Sequence, residues 1–543
     1  MKKLLLSGNE AVALGAYSAS AKVGVGYPGT PSTEILENFC KYKNVYAEWS
    51  VNEKVALEVG LGASIAGIRT IVTMKHVGVN VAADPLFTSS YIGTTGGLVV
   101  VAADDPSMHS SQNEQDSRYY AIAAKIPMLE PSDSDEAYQF TKLAFELSEK
   151  YGVPIFVRIT TRIAHSKSIV NHDEVAPKEI ELVGFKKNPK KYVMIPAFAK
   201  ERHKVLEETL LKLSEDVNNL PINRKELNKD IGVISEKGFI TSGVCYNYVK
   251  EVFQDIPILK LGMVNPLPKN LILDFCKQYE TVYIVEELDP IFETYIKALG
   301  IKNIIGKEIF PILGELNSSI IRDKINGIKS NSEIKSSVLL SDIKIPPRPP
   351  TLCPGCPHRQ IFAVLSKLGC IVSGDIGCYT LGVLPPFNAM DTCIDMGASI
   401  TVAEGLNLNP KNSGKIVSVI GDSTFAHSGI TGLVNAAYNK HQILIIVLDN
   451  GTTAMTGMQP NPLSGETINR EPTIQIDYEL LAASVGIKPT NFRIIDAYNQ
   501  ESYGQNSSME EVVKEMLESK KLSLLVIKGL CVILKKKVKG NNS

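Results

Sequence analysis

Two oxygen-bearing side chains occupy matching places in the last third of the chain. Asp422 follows the apolar run Lys415–Ile420, in Gly421-Asp422-Ser423; Asn450 follows the next such run, Gln442–Leu448, in Leu448-Asp449-Asn450-Gly451. Between them Ile430–Tyr438 has helical periodicity. Strand, helix, strand in that order presents both residues at the C-terminal edge of a parallel sheet, where open α/β sheets bind ligands. An Asp carboxylate, an Asn amide and a backbone carbonyl from Thr452 form the oxygen set that Mg2+ takes when phosphate oxygens complete its shell. Small residues at Gly421, Ser428 and Gly429, with a helix N-terminus, suit a diphosphate. The competing reading is two ordinary strand-end turns, which Asp and Asn favour anyway.

A second constellation lies near the N-terminus. Gly26-Tyr27-Pro28-Gly29-Thr30-Pro31 joins a strand to a helix, with Thr30 placed to cap it and Pro31 at its first position. Glu53 follows in Val51-Asn52-Glu53-Lys54. A solvated acidic residue in a first helical turn accounts for Glu53 equally well. Gly24-Val25-Gly26-Tyr27-Pro28-Gly29 matches G-x-G-x-x-G formally, but Pro28 and Pro31 keep its glycines from opening a helix, which argues against a dinucleotide site.

Five of nine cysteines, Cys353, Cys356, Cys370, Cys378 and Cys393, are clustered. Cys353-Pro354-Gly355-Cys356-Pro357-His358-Arg359 contains a C-x-x-C, and thiolates so grouped could hold zinc or an iron–sulfur cluster. No second C-x-x-C follows, and buried free cysteines are common. Arg359 is a candidate for bidentate carboxylate pairing and His358 and His427 for facing a ligand; a surface ion pair and satisfied structural histidines are the plainer alternatives.

Composition narrows the classes. The 543 residues suggest about three or four domains. With 44% apolar and 21% charged residues, extensive disorder is excluded. A net charge of -1, with no basic run except Lys535, Lys536, Lys537 and Lys539, argues against nucleic acid. Met1–Ser7 is too short for a signal-peptide core, and the longest apolar runs have strand length, so a cytoplasmic protein is expected, with no membrane span.

The elements that must position these residues alternate between strand and helix. Strands are expected at Lys22–Tyr27, Ile68–Met74, Gly97–Ala103 and Val153–Ile159, with helices at Pro31–Lys41 and Glu136–Lys150; continuous apolar strands of this kind form a parallel sheet covered on both faces. Ala164–Pro196 reads as a crossing linker and Ala199–Asn218 as an amphipathic helix. A second series runs through strands Ile231–Ser235, Ile258–Leu261 and Thr281–Val285, with helices near Tyr246–Val252, Leu271–Gln278 and Phe292–Leu299. Asn317–Asp342 is polar and ends in the stiff Pro346-Pro347-Arg348-Pro349-Pro350. The third series adds a strand at Leu522–Lys528. The fold class is therefore α/β, with three doubly wound domains over 1–180, 181–340 and 351–543 and a Pro-rich linker at 341–350.

The Asp422…Asn450 pattern resembles the thiamine diphosphate signature, with Ser423 in place of its usual last glycine. Longer strings widen the likeness. Ser7–Glu34, Glu53–Asn80 (with Met74-Lys75-His76-Val77-Gly78-Val79-Asn80), Glu286–Pro290, Cys353–Arg359, Gly374–Leu381 and Gly421–Asn461 resemble the α subunits of indolepyruvate:ferredoxin oxidoreductases, within the 2-oxoacid:ferredoxin oxidoreductase superfamily. Ser423 fits that subgroup.

The resemblance implies a thiamine diphosphate-binding fold: a pyrimidine domain, a transketolase C-terminal-like domain and a diphosphate domain. It implies oxidative decarboxylation of aryl pyruvates to aryl-acyl-CoA, with electrons passed to ferredoxin or another cluster-bearing protein and a β subunit completing an oligomeric enzyme. Glu53 would activate the aminopyrimidine, Thr30 would contact substrate beside His358 and Arg359, and His427 would assist catalysis. Gly377, Cys378, Gly421, Asp422, Ser423, Asn450 and Thr452 would hold the cofactor, with Asp422, Asn450 and Thr452 on Mg2+. Cys353, Cys356 and Cys378 resemble three ligands of a [4Fe-4S] cluster found in some superfamily members; Cys531 falls in an expected strand, and the family's C-terminal ferredoxin-like motif does not occur before Ser543. A non-oxidative aryl-pyruvate decarboxylase and a non-catalytic assembly subunit remain as alternatives.

Overall fold

The computed structural model describes residues 2–173, 185–226, 236–327, 350–409, 415–499 and 508–540, the last three without side chains. The chain forms two compact units, Met1–Leu340 and Ser341–Ser543.

The first unit is built on a seven-stranded sheet. Edge to edge its strands are Met263–Asn265, Met128–Leu129, Ile155–Thr160, Leu98–Asp104, Thr70–Lys75, Val23–Gly26 and Tyr46–Trp49, all parallel except Met263–Asn265. Every residue of Thr70–Lys75, Leu98–Asp104 and Ile155–Thr160 is buried, as expected of strands covered on both faces. The helix Ser134–Tyr151 starts where the Asp133 carboxylate accepts the Glu136 amide at 2.8 Å, and ends at left-handed Gly152.

A five-stranded sheet completes this unit, in the order Ile304–Ile305, Thr281–Val285, Lys237–Ser242, Ile258–Leu261 and Arg224–Glu226. Strand pairing and buried ion pairs bind its segment of chain to the first sheet. Strand Met263–Asn265 pairs with Met128–Leu129. Buried Arg118 reaches Asp116 at 2.6 Å and Glu286 at 2.7 Å, and also donates to the carbonyls of Glu287 and Asp289. The Glu286–Pro290 string is thus a structural clasp. Beside it Arg158 pairs with Asp104 at 2.7 Å and with Glu130.

The second unit carries a six-stranded, all-parallel sheet in the order Thr392–Cys393, Ile371–Gly374, Ile416–Gly421, Leu444–Asp449, Ser523–Lys528 and Phe492–Asp496. Helices on its two faces bury separate apolar clusters, one around Phe362 and Val513 and one around Leu433 and Tyr478.

Several local expectations need correction. The Ala164–Pro196 segment is not all linker: Lys167–His172 is a strand antiparallel to Lys2–Ser7, and the part exposure of both kept them from reading as buried apolar runs. The helix after Pro31 begins only at Thr33, and its preceding Ser32 hydroxyl donates to the Gly29 carbonyl instead of capping, so Thr30 is not a cap. Asn317–Asp342 begins with a helix, Ser318–Ile325. Cys531 lies beyond the strand that ends at Lys528. Ile231–Ser235 and Pro346–Pro349 lie outside the described residues, and a strand is found instead at Lys237–Ser242. Among the described residues, no helix is long and apolar enough to cross a membrane.

Candidate functional site

Both large sheets reverse their winding direction at one place. In the first, the chain leaves Val23–Gly26 for Tyr46–Trp49 on one side, and Thr70–Lys75 and Leu98–Asp104 are added on the other. In the second, Ile371–Gly374 leads outward to Thr392–Cys393, while Ile416–Gly421 and Leu444–Asp449 are added inward. Loops diverge at such switch points and leave a crevice at the C-terminal edge. The expected site residues gather at these two edges.

In the first unit, the loop Tyr27–Ser32 follows Gly26 and is held by Asn9, whose amide donates to the Pro31 carbonyl at 2.8 Å and to Glu34 at 2.9 Å. Thr30 is half-buried, and its carbonyl accepts from the Ser110 hydroxyl at 3.4 Å. Glu53 opens helix Glu53–Ile65, whose cap is the Asn52 side chain on the Val55 amide at 2.9 Å. The solvated reading of Glu53 fails, because only 4% of the residue is exposed. Its side chain packs on Gly78, where an added Cβ would lie 2.5 Å from Glu53 Cγ and 2.6 Å from Oε1. Gly78 is therefore glycine because the carboxylate needs the space. That segment, His76–Val81, follows strand Thr70–Lys75 directly.

In the second unit, Asp422 and Asn450 follow adjacent strands as the spacing required. Asp422 is buried; its Oδ1 accepts the Ser423 amide at 2.9 Å, and Oδ2 accepts from Asn461 at 3.4 Å. Burial and the neighbouring Asp449 carboxylate push Asp422 up to about 8. Asn450 Oδ1 accepts the Thr452 amide at 3.1 Å, while its Nδ2 meets His358 Nε2 at 3.4 Å. His358 is kept neutral by burial, which pulls it down to about 4, so it accepts from the amide and turns Oδ1 away. Ser423 receives the Thr453 hydroxyl at 2.9 Å, and the Thr452 hydroxyl donates to the Gln459 carbonyl at 3.2 Å. A buried carboxylate beside an amide oxygen is the kind of oxygen set a divalent cation takes, and the cation would relieve the repulsion from Asp449 that raises Asp422. The residues present fit Mg2+.

Gly377 and Cys378 follow the first switch-point strand, in the turn Asp375–Cys378. Asp375, which sequence reasoning passed over, is buried there and accepts the amides of Ile376, Gly397 and Ser399 at 2.8, 2.8 and 2.9 Å. It ties the turn to helix Ala398–Asn407. Gly421 packs against Tyr379, and an added Cβ would be 2.6 Å from the ring. His427 lies in a π-helical turn, Phe425–Gly429. Its Nδ1 is 2.8 Å from the Ser428 hydroxyl, which donates to the Met396 carbonyl, so Nδ1 carries the proton. Arg359 donates to the Leu352 carbonyl at 2.8 Å and lies over Phe387 at 5.1 Å, holding the Cys353–Cys356 turn.

The three expected cysteines converge with a fourth. Cys353, Cys356, Cys378 and Cys531 line one cavity of about 110 Å³ together with His358 and Asn450. Gly529 donates to the Asp449 carbonyl at 2.9 Å and Cys531 to the Asn450 carbonyl at 3.1 Å, which bends the chain from its strand toward the cavity. Burial and the three neighbouring thiols push Cys378 up to about 11. Among the described residues, no three such side chains are close enough to hold a single metal ion.

Residues 14–211 match the family model for the pyruvate flavodoxin/ferredoxin oxidoreductase thiamine diphosphate-binding domain, and residues 375–527 that for the C-terminal TPP-binding domain of thiamine pyrophosphate enzymes. The chain is 40% identical to indolepyruvate oxidoreductase subunit IorA of Archaeoglobus fulgidus, over 98% of this chain and 87% of that one. It is 42% identical to subunit IorA of Pyrococcus horikoshii, over 98% and 86%. A solved 2-oxoglutarate:ferredoxin oxidoreductase from Magnetococcus marinus, 17% identical, shares the fold with a TM-score of 0.50 over 60% of this chain and 65% of that one.

Proposed function

Because the chain belongs to the family of indolepyruvate oxidoreductase subunit IorA, we propose that it is the catalytic subunit of an enzyme oxidising aryl pyruvates to aryl-acyl-CoA. It is an oxidoreductase subunit with thiamine diphosphate-binding domains, and the coarse reaction is oxidative decarboxylation of a 2-oxo acid. The observation that supports a catalytic subunit is the burial of Glu53 against Gly78 in one unit and of Asp422 and Asn450 in the other; the aryl substrate is carried over from the relatives' name.

Thiamine diphosphate supplies the carbanion chemistry that allows a 2-oxo acid to lose CO2. Glu53 holds the proton exchanged with the aminopyrimidine ring nitrogen, work that needs a carboxylate sheltered from water. Asp422, Asn450 and the Thr452 carbonyl would hold Mg2+, and Gly377, Cys378, Gly421 and Ser423 would shape the bed of the diphosphate. Thr30 contacts the substrate, and His427 is a proton donor or acceptor with its tautomer set by Ser428. Of the other two residues expected on the substrate, His358 instead meets Asn450, and Arg359 is committed to the Leu352 carbonyl and the Phe387 ring.

For electron exit, the reading is a [4Fe-4S] cluster on Cys353, Cys356, Cys378 and Cys531. A multi-iron cluster spreads its thiolates more widely than a single ion does, which suits four sulfurs around one cavity. A β subunit and ferredoxin, or another cluster-bearing protein, complete the assembly. An anaerobic assay with indolepyruvate, CoA and a viologen dye, with the partner subunit added, tests the reading. Acyl-CoA with stoichiometric dye reduction is expected. Aldehyde release without dye reduction would instead establish a non-oxidative decarboxylase, and no turnover of any aryl pyruvate would leave an assembly subunit.

A further inference from the structure

The switch-point crevice of the first unit contains a buried cation that the reading above does not use. Lys75 ends strand Thr70–Lys75 and is only 7% exposed. Its Nζ donates to the Ser110 carbonyl at 2.6 Å and lies 3.5 Å from the Ser110 hydroxyl. An ammonium has three donors, so one residue on one side leaves it undersupplied. The acid that attracts it, Asp105, is engaged elsewhere: its carboxylate accepts the Ser110 amide at 2.9 Å, the Ser111 hydroxyl at 2.5 Å and the Thr161 hydroxyl at 2.7 Å. Burial outweighs the attraction of Asp105 and pulls Lys75 down to about 8, so the ammonium persists at neutral pH in a place that favours an added anion.

The surroundings indicate which anion. A Cβ on Gly29 would lie 3.0 Å from Lys75 Cβ, so the loop bearing Thr30 runs alongside the lysine. Ser110, which holds Nζ, also donates to the Thr30 carbonyl. Directly after Lys75 comes the segment whose Gly78 contacts Glu53. Lys75, Thr30 and Glu53 therefore share one edge of one sheet. We propose that Lys75 receives the carboxylate of the 2-oxo acid, an inference that rests on the function proposed above.

The chemistry gives this role a distinct signature. As CO2 forms, negative charge leaves the carboxylate. A cation on that carboxylate binds the ground state at least as well as the transition state, so it contributes to substrate binding more than to the rate. The plainer alternative is that Lys75 only tethers the segment containing Ser110.

Two variants of the complete enzyme separate the cases. Lys75→Gln keeps an N–H donor for the Ser110 carbonyl and loses the charge; Lys75→Arg keeps the charge. The expected result is a KM for indolepyruvate raised about ten- to a hundredfold in Lys75→Gln, as for loss of a charge-assisted hydrogen bond. Its kcat and its affinity for thiamine diphosphate should stay within about threefold, and Lys75→Arg should recover most of the KM. Wild-type KM in Lys75→Gln, or an equal rise in both variants, would overturn the assignment. Calorimetric titration with indole-3-propionate and with its amide gives a readout independent of turnover. The wild type should prefer the acid and Lys75→Gln should not. Equal wild-type affinity for acid and amide would overturn the assignment even with active enzyme, whereas a preference for the acid without turnover would uphold it and count only against the proposed reaction.

Discussion

Glu53 shows how a residue's surroundings decide its chemistry. Its sequence context, a first-turn acid after an Asn cap, is that of countless solvated residues; Gly78 closing over it makes it a sheltered carboxylate. Replacing Glu53 by Gln keeps the shape and removes the exchangeable proton. Turnover should fall about 10²–10⁴-fold while thiamine diphosphate still binds, as read by fluorescence or calorimetric titration. Asp422 gives a pH test. Its folded value of about 8 lies above its ordinary 3.8, so the cofactor-free fold binds the extra proton and loses stability as pH rises between those values. Mg2+ binds only the carboxylate and must displace that proton. The thermal stabilisation by thiamine diphosphate plus Mg2+ should therefore grow from about pH 6 to about pH 8. In Asp422→Asn it should be small and flat. A wild-type stabilisation that does not change over this range would contradict the metal assignment.

At the scale of elements, close approach and buried charge set the tolerances. Gly78→Ala would drive a methyl group into the buried Glu53 side chain, which must shift to admit it. A cost of about 1–3 kcal/mol is expected from the overpacking, with kcat reduced up to about 10²-fold by the displaced carboxylate. The pairing of Arg118 with Asp116 and Glu286 is a different kind of joint, because removing the cation leaves buried Glu286 without its ion-pair partner and buried Asp116 with only Arg158, at 3.8 Å. Arg118→Ala should destabilise the first unit by about 3–5 kcal/mol in denaturant titrations. Elements were legible where burial is two-sided. Thr281–Val285 is an apolar run opened by Thr281, and Ile258–Leu261 is one interrupted only by Lys260, buried on Glu136; the structure starts and stops both at the expected residues. Lys2–Ser7 and Lys167–His172 were not legible, because each is half-exposed and its partner is far along the chain.

Across the whole molecule, the legible part of the site was the part that local pattern specifies. Asp422 and Asn450 could be placed because strand–helix–strand spacing fixes a sheet edge. Asp375 and Lys75 could not, since a lone Asp in a glycine-rich turn or a lone Lys after an apolar run reads as solvated until distant loops cover it. The nine cysteines show the same limit. Cys353, Cys356 and Cys378 were singled out by the C-x-x-C and its likeness, but Cys531 joins them only through backbone bonds from Gly529 and Cys531 to the Asp449–Asn450 turn. Alkylation of the native chain distinguishes their fates. Cys245 and Cys276, buried in the first unit, should resist labelling with or without metal. After anaerobic reconstitution with iron and sulfide, the four cavity cysteines should become protected together, with about four irons bound per chain. Cys531→Ser should expose the other three and lower the bound iron, while Cys370→Ser should change neither. Protection of Cys353 and Cys356 alone would identify a dithiol pair in place of a cluster and move the electron exit to the partner subunit.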